Sequence, residues 1–138
     1  MGIAAQNNNE AVRNLIARQK FRTDDRDADG VAQCWATDAR LELQFGDKPA
    51  IVREGREAIV AFAQEGWART AHPHVHLITT LEIIERDDGK IGAESYCLYL
   101  SVEQRTPEGY GRYTDIFVRE ADGEWRIQSR NVRINAVF

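Results

Sequence analysis

The three histidines of this 138-residue chain, His72, His74 and His76, lie within five residues of one another. An unperturbed imidazole titrates near neutral pH, so a histidine that faces a protein interior can act as an acid or a base. The apolar run that follows, over residues 75–84, predicts a long strand. If that strand begins at His72, alternation places all three rings on one face and suits a metal ion, whereas a single inward ring suits proton transfer.

The metal interpretation is the weaker of the two. Pro73 interrupts strand pairing within the cluster, and no Glu, Asp or Cys nearby repeats at a spacing typical of metal ligands. We therefore predict that His76 faces the interior, that His72 and His74 lie in the loop that leads into the strand and rim a pocket, and that the protein needs neither a metal ion nor another cofactor.

Composition predicts one soluble domain over residues 1–138, with 43% apolar and 29% charged residues. The net charge of -4 offers no basic surface for nucleic acid, and no apolar run has the length of a membrane span. Cys34 and Cys97 have no paired spacing, and the N-terminus lacks the pattern of a signal peptide. We expect a cytoplasmic protein whose partners are small molecules or protein.

Short apolar stripes with helical spacing recur three times in the first half of the chain. Asparagines or an aspartate precede the first two stripes, as is typical of helix N-caps. These patterns predict a first helix from about Glu10 to Arg22, after caps at residues 7–9, and a second from Asp27 through Val31, Cys34 and Trp35 to residue 37. A third helix is predicted from Gly55 through Ile59, Phe62 and Ala63. Between the second and third helices we expect a strand over residues 39–45 and a short one near 51–52.

The second half of the chain predicts a meander of four strands, near residues 74–86, 90–104, 109–120 and 124–136. The turns between them are predicted at residues 87–89, 106–109 and 122–123, where Asp, Pro and Gly supply turn geometry. Helices followed by antiparallel strands indicate an α+β fold, with three N-terminal helices packed on one face of a strongly curved, mainly antiparallel sheet. Such a sheet, closed by helices, encloses a pocket.

Four short motifs follow one another along almost the whole chain. The first contains Asp24, Asp27, Trp35 and an Asp-Ala pair at residues 38–39. The other three are Gly55–Ile59, His76–Thr80 and Trp125–Arg130. In this order and spacing they resemble the SnoaL-like proteins of the nuclear transport factor two-like superfamily. The resemblance implies a single domain folded as a cone-shaped α+β barrel.

Within that superfamily, scytalone dehydratase and hexachlorocyclohexane dehydrochlorinase use an aspartate and histidine pair, and the matching residues are Asp24 and His76. An aspartate bound to one ring nitrogen fixes the tautomer of the histidine and raises the basicity of the other nitrogen, which can then remove a proton from carbon. The resemblance implies a cofactor-independent dehydratase-type lyase, or an isomerase, that acts on a hydrophobic small molecule. The alternative reading makes Asp24 a helix cap and His76 a hydrogen-bonded core residue.

Seven further residues are assigned to substrate binding. Two of them stand on the first helix where related dehydratases often present a tyrosine, and strand tyrosines could supply the missing hydroxyl. The arginine among them either holds an oxyanion in the cavity or pairs with Asp115 or Asp24 as a scaffold contact. The seven are Gln19, Thr23, Trp35, Phe62, Tyr96, Tyr113 and Arg130.

Two other functions fit the same fold. An isomerase of the ketosteroid type would need a carboxylate base, for which Asp38 is the only suggestively placed acid in the first half. The strand Trp125–Arg130 is also similar to the last strand of the non-catalytic beta subunits of ring-hydroxylating dioxygenases. The apolar end at residues 134–138 and the apolar residues on both faces of the 75–84 strand predict a homodimer or homotrimer. A catalytic protein requires Asp24 and His76 within hydrogen-bond reach beside a pocket.

Overall fold

A computed structural model describes residues 2–71 and 73–137, which form three helices and one six-stranded sheet. The first half of this region is mainly helical and the second half is a meander of long strands. In chain order the elements are α1 (Ile3–Asp24), α2 (Ala28–Cys34), β1 (Trp35–Phe45), β2 (Ile51–Glu54), α3 (Arg56–Arg69), β3 (His74–Glu85), β4 (Ile91–Ser101), β5 (Thr106–Arg119) and β6 (Trp125–Val137).

The strands are ordered β2-β1-β6-β5-β4-β3 across the sheet. Every neighbouring pair is antiparallel except β1 and β6, which run parallel over the register from Trp35 and Ile127 to Phe45 and Ile134. The three helices pack on this curled sheet, which confirms the predicted α+β class. Among the described residues no helix is long and apolar enough to cross a membrane.

The first helix is longer than predicted. It begins at Ile3 instead of Glu10, so the asparagines at residues 7–9 lie inside it and do not cap it. Ala4 and Ala5 favour helix, and no Gly or Pro between residues 3 and 24 ends it. The second helix does begin at the predicted cap, where the Asp27 side chain accepts a bond from the Gly30 N–H at 3.0 Å.

Two boundaries in the strand regions were also predicted wrongly. Trp35, expected in the second helix, is the first residue of β1. The turn expected at residues 106–109 lies at 102–105 instead, with Arg105 at φ 56°, and Pro107 pairs with Leu100 near a bulge at the start of β5. Proline is tolerated in a strand near such a bulge, where a ladder hydrogen bond is already missing.

A buried ion pair joins β5 to β6 beneath the helices. The Arg130 guanidinium donates through Nε and Nη2 to the two oxygens of Asp115, at 2.8 and 3.1 Å, and through Nη1 to the Gln19 side-chain oxygen at 2.7 Å. Arg130 and Asp115 are 3% and 2% exposed. Each charge therefore depends on the other for compensation, because water does not reach them.

Replacing Asp115 with Asn is expected to destabilise the fold by about 3–5 kcal/mol, because it leaves the buried Arg130 charge without a counterion. Urea unfolding followed by circular dichroism measures the change. Asp88→Asn is the matched control: Asp88 also pairs with an arginine, Arg86, but on the surface, and its loss should leave the unfolding midpoint almost unchanged. Equal midpoints for the two variants would contradict the structural role of the buried pair.

Candidate active site

A cavity of about 470 Å³ opens between the helices and the concave face of the sheet. This volume lies in the range of small-molecule sites, which are largely apolar with a few placed polar groups. The cavity is lined by apolar side chains from β1, α3 and β6 and by polar side chains from α1, β3, β4 and β5. The first group includes Leu43, Phe62, Trp67 and Ile134, and the second includes Asp24, His76, Tyr99 and Tyr113.

Asp24 and His76 meet on the polar side of this cavity. One Asp24 oxygen lies 2.5 Å from His76 Nδ1, and the other accepts the backbone N–H of His76 at 3.0 Å. Their side chains are 16% and 21% exposed. Because Asp24 holds both the ring and the backbone of one residue, the imidazole cannot rotate without breaking a short bond.

The protonation of His76 follows from these contacts. A carboxylate only accepts hydrogen bonds, so Nδ1 carries the proton of the neutral ring and Nε2 keeps its lone pair. Burial lowers the pKa of His76 below its ordinary value, Lys20 and His74 add to that effect, and the hydrogen bond to Asp24 opposes it. The ring is therefore neutral at pH 7 and able to accept a proton.

The backbone brings this pair together from opposite ends of the sequence. Asp24 is the last residue of α1, and His76 is the third residue of β3, whose start packs against that helix end. A carboxylate at a helix C-terminus is unfavourable, because the helix dipole is negative there. The two hydrogen bonds from His76 compensate for this placement.

We expect His76 to titrate below pH 6.5 and to carry its neutral proton on Nδ1. Nitrogen-15 NMR of the imidazole reports both the midpoint and the tautomer, and the signals that disappear in a His76→Ala variant are those of His76. Lys20→Met should raise the midpoint, since a cation that lowers the pKa is removed. A midpoint above 6.5 in the wild-type protein would show that the bond to Asp24 outweighs burial.

A second histidine and carboxylate pair lies beside the first. His74 Nε2 is 2.9 Å from Glu108 Oε2, and the His74 ring stacks on Tyr99 with centroids 4.5 Å apart. The centroid of the His76 ring lies 5.0 Å from the centroid of the same Tyr99 ring. His74 is thus the first residue of β3 and part of the cavity wall, where a loop position at the pocket rim was predicted; His72 lies outside the described residues.

A buried lysine lies behind the wall of the cavity, at the buried residue Tyr113. Lys20 of α1 donates from Nζ to the Tyr113 hydroxyl at 2.9 Å, and the same Nζ lies 4.5 Å from the Tyr113 ring centroid. Burial, helped by Arg130, lowers the pKa of Lys20 to about 8, and burial raises the pKa of Tyr113 well above 10. At pH 7 this pair is therefore an ammonium group next to a neutral phenol.

Comparison with protein families decides the classification. The model of the SnoaL-like domain family matches residues 5–131. The chain belongs to the SnoaL-like family. Members of this family, within the nuclear transport factor two-like superfamily, bind small molecules and are often polyketide cyclases or isomerases. Among curated protein sequences, no match to this SnoaL-like chain is found.

Solved structures agree with the family. ActVI-ORFA from Streptomyces coelicolor is 26% identical, with 91% of this chain and 96% of that chain covered and a TM-score of 0.73. A protein from Catenulispora acidiphila in complex with S-DNPA is 28% identical, with coverages of 91% and 92% and a TM-score of 0.78. An NTF2-like protein of unknown function from Pseudomonas putida shares the fold at 21% identity, coverages of 96% and 88%, and a TM-score of 0.79.

The SnoaL-like cavity contains some of the residues assigned to it from the sequence. Thr23, Phe62 and Tyr113 line it together with Asp24 and His76. Gln19, Trp35 and Arg130 do not: all three are buried beneath it, where the Arg130 guanidinium lies 5.5 Å from the Trp35 ring centroid and bonds to Gln19. Tyr96 lies on the outer face of the sheet, with the Arg112 guanidinium 5.4 Å from its ring centroid.

Several residues of the SnoaL-like site were not singled out from the sequence. Lys20, Cys97 and Glu108 received no site role there, and Tyr99 was only one of four strand tyrosines that could supply a hydroxyl. Cys97, Tyr99 and Glu108 line the cavity, and Lys20 contacts a residue that does. One signal was available for Lys20. It follows Val12 and Ile16 at intervals of four residues, which places it on the buried stripe of α1. A lysine on the buried stripe of a helix needs a buried hydrogen-bond partner.

Within residues 2–71 and 73–137, no group of three or more His, Cys, Asp or Glu side chains is arranged to hold a metal ion. His74 and His76 each face a single carboxylate, Glu108 and Asp24 respectively. The Tyr99 ring contacts both histidine rings, with centroids 4.5 Å from His74 and 5.0 Å from His76. This arrangement suits two hydrogen-bonded histidines better than a shared ligand set.

Proposed function

We propose that this SnoaL-like protein binds a hydrophobic small molecule in the cavity and removes a proton from one of its carbon atoms without a cofactor. His76 is the base, and Asp24 is the residue that orients it. The contact of 2.5 Å between Asp24 and His76 Nδ1, on the wall of an otherwise largely apolar cavity, is the observation that carries this proposal.

The chemistry follows from the tautomer. Nε2 of neutral His76 takes the proton from carbon, and the imidazolium that forms is stabilised by the Asp24 carboxylate already bound to Nδ1. The electron pair left on carbon either expels a leaving group on the neighbouring atom, as in a dehydratase, or takes a proton back at another position, as in an isomerase. Both outcomes use the same base, and the imidazolium returns its proton to the leaving group or to the product.

The lining of the cavity supports a hydrophobic ligand. Phe62, Trp67 and Ile134 offer apolar surface in the same cavity as the two histidines. The relative from Catenulispora acidiphila, which is 28% identical, was solved in complex with S-DNPA, so a similar protein accommodates a bound small molecule. A flat or aromatic compound suits this lining, because aromatic side chains stack on planar ligands.

The test combines binding with hydrogen exchange. A thermal-shift screen of small aromatic and terpenoid compounds identifies ligands, and each ligand is then incubated with the protein in D₂O and followed by proton NMR. The wild-type protein should exchange or convert an acidic C–H of a ligand. His76→Ala should slow this reaction by about 10²–10⁴-fold, the usual contribution of a positioned general base.

Thr79→Ala is the matched control for this experiment. Thr79 lies on the same strand as His76 but is exposed and does not line the cavity, so its loss should leave the rate unchanged. A ligand that binds tightly and shows the same exchange rate with wild-type protein and His76→Ala would refute the proposal. That result would favour the alternative, a non-catalytic binding or interaction protein of this fold.

Assembly and location stay predictions. A homodimer or homotrimer is supported by apolar side chains on β3, an edge strand, where Leu77 and Ile84 are 41% and 36% exposed. Sedimentation velocity measures the oligomeric state directly. A cytoplasmic location is supported by the two buried cysteines, Cys34 and Cys97, which are unpaired.

A further inference from the structure

The inner end of the cavity is formed by one strand with an unusual sequence. Inward positions of β5 are occupied by Gly109, Gly111 and Tyr113, because alternate residues of a strand face the same side. The two glycines leave space, and Tyr113 is the first large side chain along this row. A ligand that passes the glycines therefore meets Tyr113.

Tyr113 is supported from behind by Lys20. Lys20 is 7% exposed and does not line the cavity, and its Nζ donates to the Tyr113 hydroxyl oxygen at 2.9 Å. Since Lys20 supplies that bond, the hydroxyl keeps its own proton for another acceptor. The Cys97 side chain also bonds to this hydroxyl, but a thiol is a weak partner that a ligand oxygen can replace.

The charges around Tyr113 do not balance. Arg130 lies 4.8 Å from the Tyr113 ring centroid, but its charge is matched by Asp115 at 2.8 Å. Lys20 contacts no carboxylate among the described residues within salt-bridge distance; Asp24 and Asp115 act on it only from farther away. The inner end of the cavity therefore has one uncompensated positive charge while Lys20 is protonated.

We propose that Tyr113 and Lys20 form an anion-stabilising subsite for an enolate or phenolate oxygen of the ligand. Tyr113 donates the hydrogen bond to that oxygen, and Lys20 is a positioning residue that acts through Tyr113. This proposal rests on the proposed function and extends it, because it names a ligand class: compounds with a carbonyl or phenol group that reaches the inner end of the cavity.

The proton transfer balances with these groups. The C–H bond next to a carbonyl breaks, the proton moves to His76 Nε2, and the electron pair forms a carbon–carbon double bond. The carbonyl oxygen gains the negative charge and accepts the hydrogen bond from Tyr113, while the Lys20 charge lies one hydrogen bond away. Donors that are placed before charge develops are a major source of catalysis in dry sites.

The pKa values of the pair support this role. Lys20, with a pKa of about 8, is mostly charged at pH 7, and Tyr113, with a raised pKa, stays protonated. The groups that act on Lys20 come from five elements, namely Tyr113 and Asp115 from β5, Cys97 from β4, Arg130 from β6, His76 from β3 and Asp24 on its own helix. Anion binding should therefore weaken above about pH 8, as Lys20 loses its proton.

The experiment uses 4-nitrophenol, whose phenolate and phenol forms differ in visible absorbance, and 4-nitroanisole, which cannot ionise. Bound 4-nitrophenol should ionise at a lower pH than the free compound. Tyr113→Phe keeps the ring and removes only the hydroxyl, and should weaken phenolate binding by about tenfold or more. Lys20→Met should have a similar effect. Neither variant should change the affinity for 4-nitroanisole.

Tyr99→Phe is the matched control, because Tyr99 also lines the cavity but lies beside the histidines. The preference for phenolate should persist in Tyr99→Phe and in His76→Ala. A preference that is absent from the wild-type protein, or that is lost in His76→Ala and kept in Tyr113→Phe, would overturn the subsite. Failure of the base shows separately, as unchanged hydrogen exchange in His76→Ala.

Discussion

Asp24→Asn is expected to lower kcat/KM for the ligand found by screening by about 10²–10⁴-fold, with little change in ligand affinity. The amide oxygen of Asn can still accept the backbone N–H of His76. The amide nitrogen then faces Nδ1 as a donor, so the ring must carry its proton on Nε2 instead. Nε2 is the atom that has to accept the proton from the ligand, and the substitution removes that capacity without removing the imidazole.

The measurement is the rate of ligand exchange in D₂O, combined with the nitrogen-15 spectrum of His76. The rate should fall and the neutral proton should move from Nδ1 to Nε2 in the same variant. Asp25→Asn is the matched control, because Asp25 is the exposed neighbour of Asp24 and does not line the cavity. A rate within about twofold of wild type in Asp24→Asn would mean that orientation of His76 does not limit the reaction.

The predictable parts of this fold depend on local sequence. The Asp-Gly turns that end at Gly89 and Gly123 lie where expected, and both glycines adopt positive φ angles of 78° and 84°. Such turns require glycine and join neighbouring antiparallel strands, so the meander can be read from turns alone. The Asp24 and His76 contact spans 52 residues, and only the family resemblance predicted that those two positions meet.

The lining of the cavity was harder to predict, since it depends on which face of each strand packs under the helices. On β4 the inward row beneath the helices is Ala93, Ser95 and Cys97, all small, and it continues with Tyr99 beside the histidines, while Tyr96 points outward. A large aromatic residue normally indicates the buried face. The concave face of a curled sheet has little room beneath packed helices, so small residues occupy it, and the tyrosine was assigned to the wrong side.

The alternation of side chains between the two faces of the sheet is also interrupted. Extra residues, Asn135 in β6 and Glu108 in β5, form bulges against β5 and β4, and each shifts the register by one residue. A count of alternate positions along β5 or β6 therefore fails where it passes one of these two residues. Gln19 was wrongly assigned to the cavity, and the role of Arg130 was left open. Their mutual bond joins residues 111 positions apart, and no pattern in the sequence predicts it.

Lys20→Met is expected to stabilise the folded protein at pH 7 by about 1–2 kcal/mol while it weakens anion binding. A buried lysine whose pKa is lowered binds its proton less tightly in the folded state than in the unfolded state. Below pH 8 both states are protonated, so the cost of burying the charge is fully present there. Methionine fills a similar volume without that charge, although the hydrogen bond to Tyr113 is lost.

The pH dependence of the free energy of unfolding shows whether the Lys20 charge is buried. Between pH 8 and the ordinary lysine pKa of 10.5, the unfolded chain holds a proton that the folded protein has released, so the free energy of unfolding of the wild type rises with pH. The stability difference between Lys20→Met and wild type should therefore shrink as pH rises from 7 to 9.5, in urea unfolding at each pH. Lys48→Met, at an exposed turn, should match wild type throughout. A difference that is constant or grows with pH would mean that Lys20 is not held as a buried cation, and that the inner end of the cavity is not prepared for an anion.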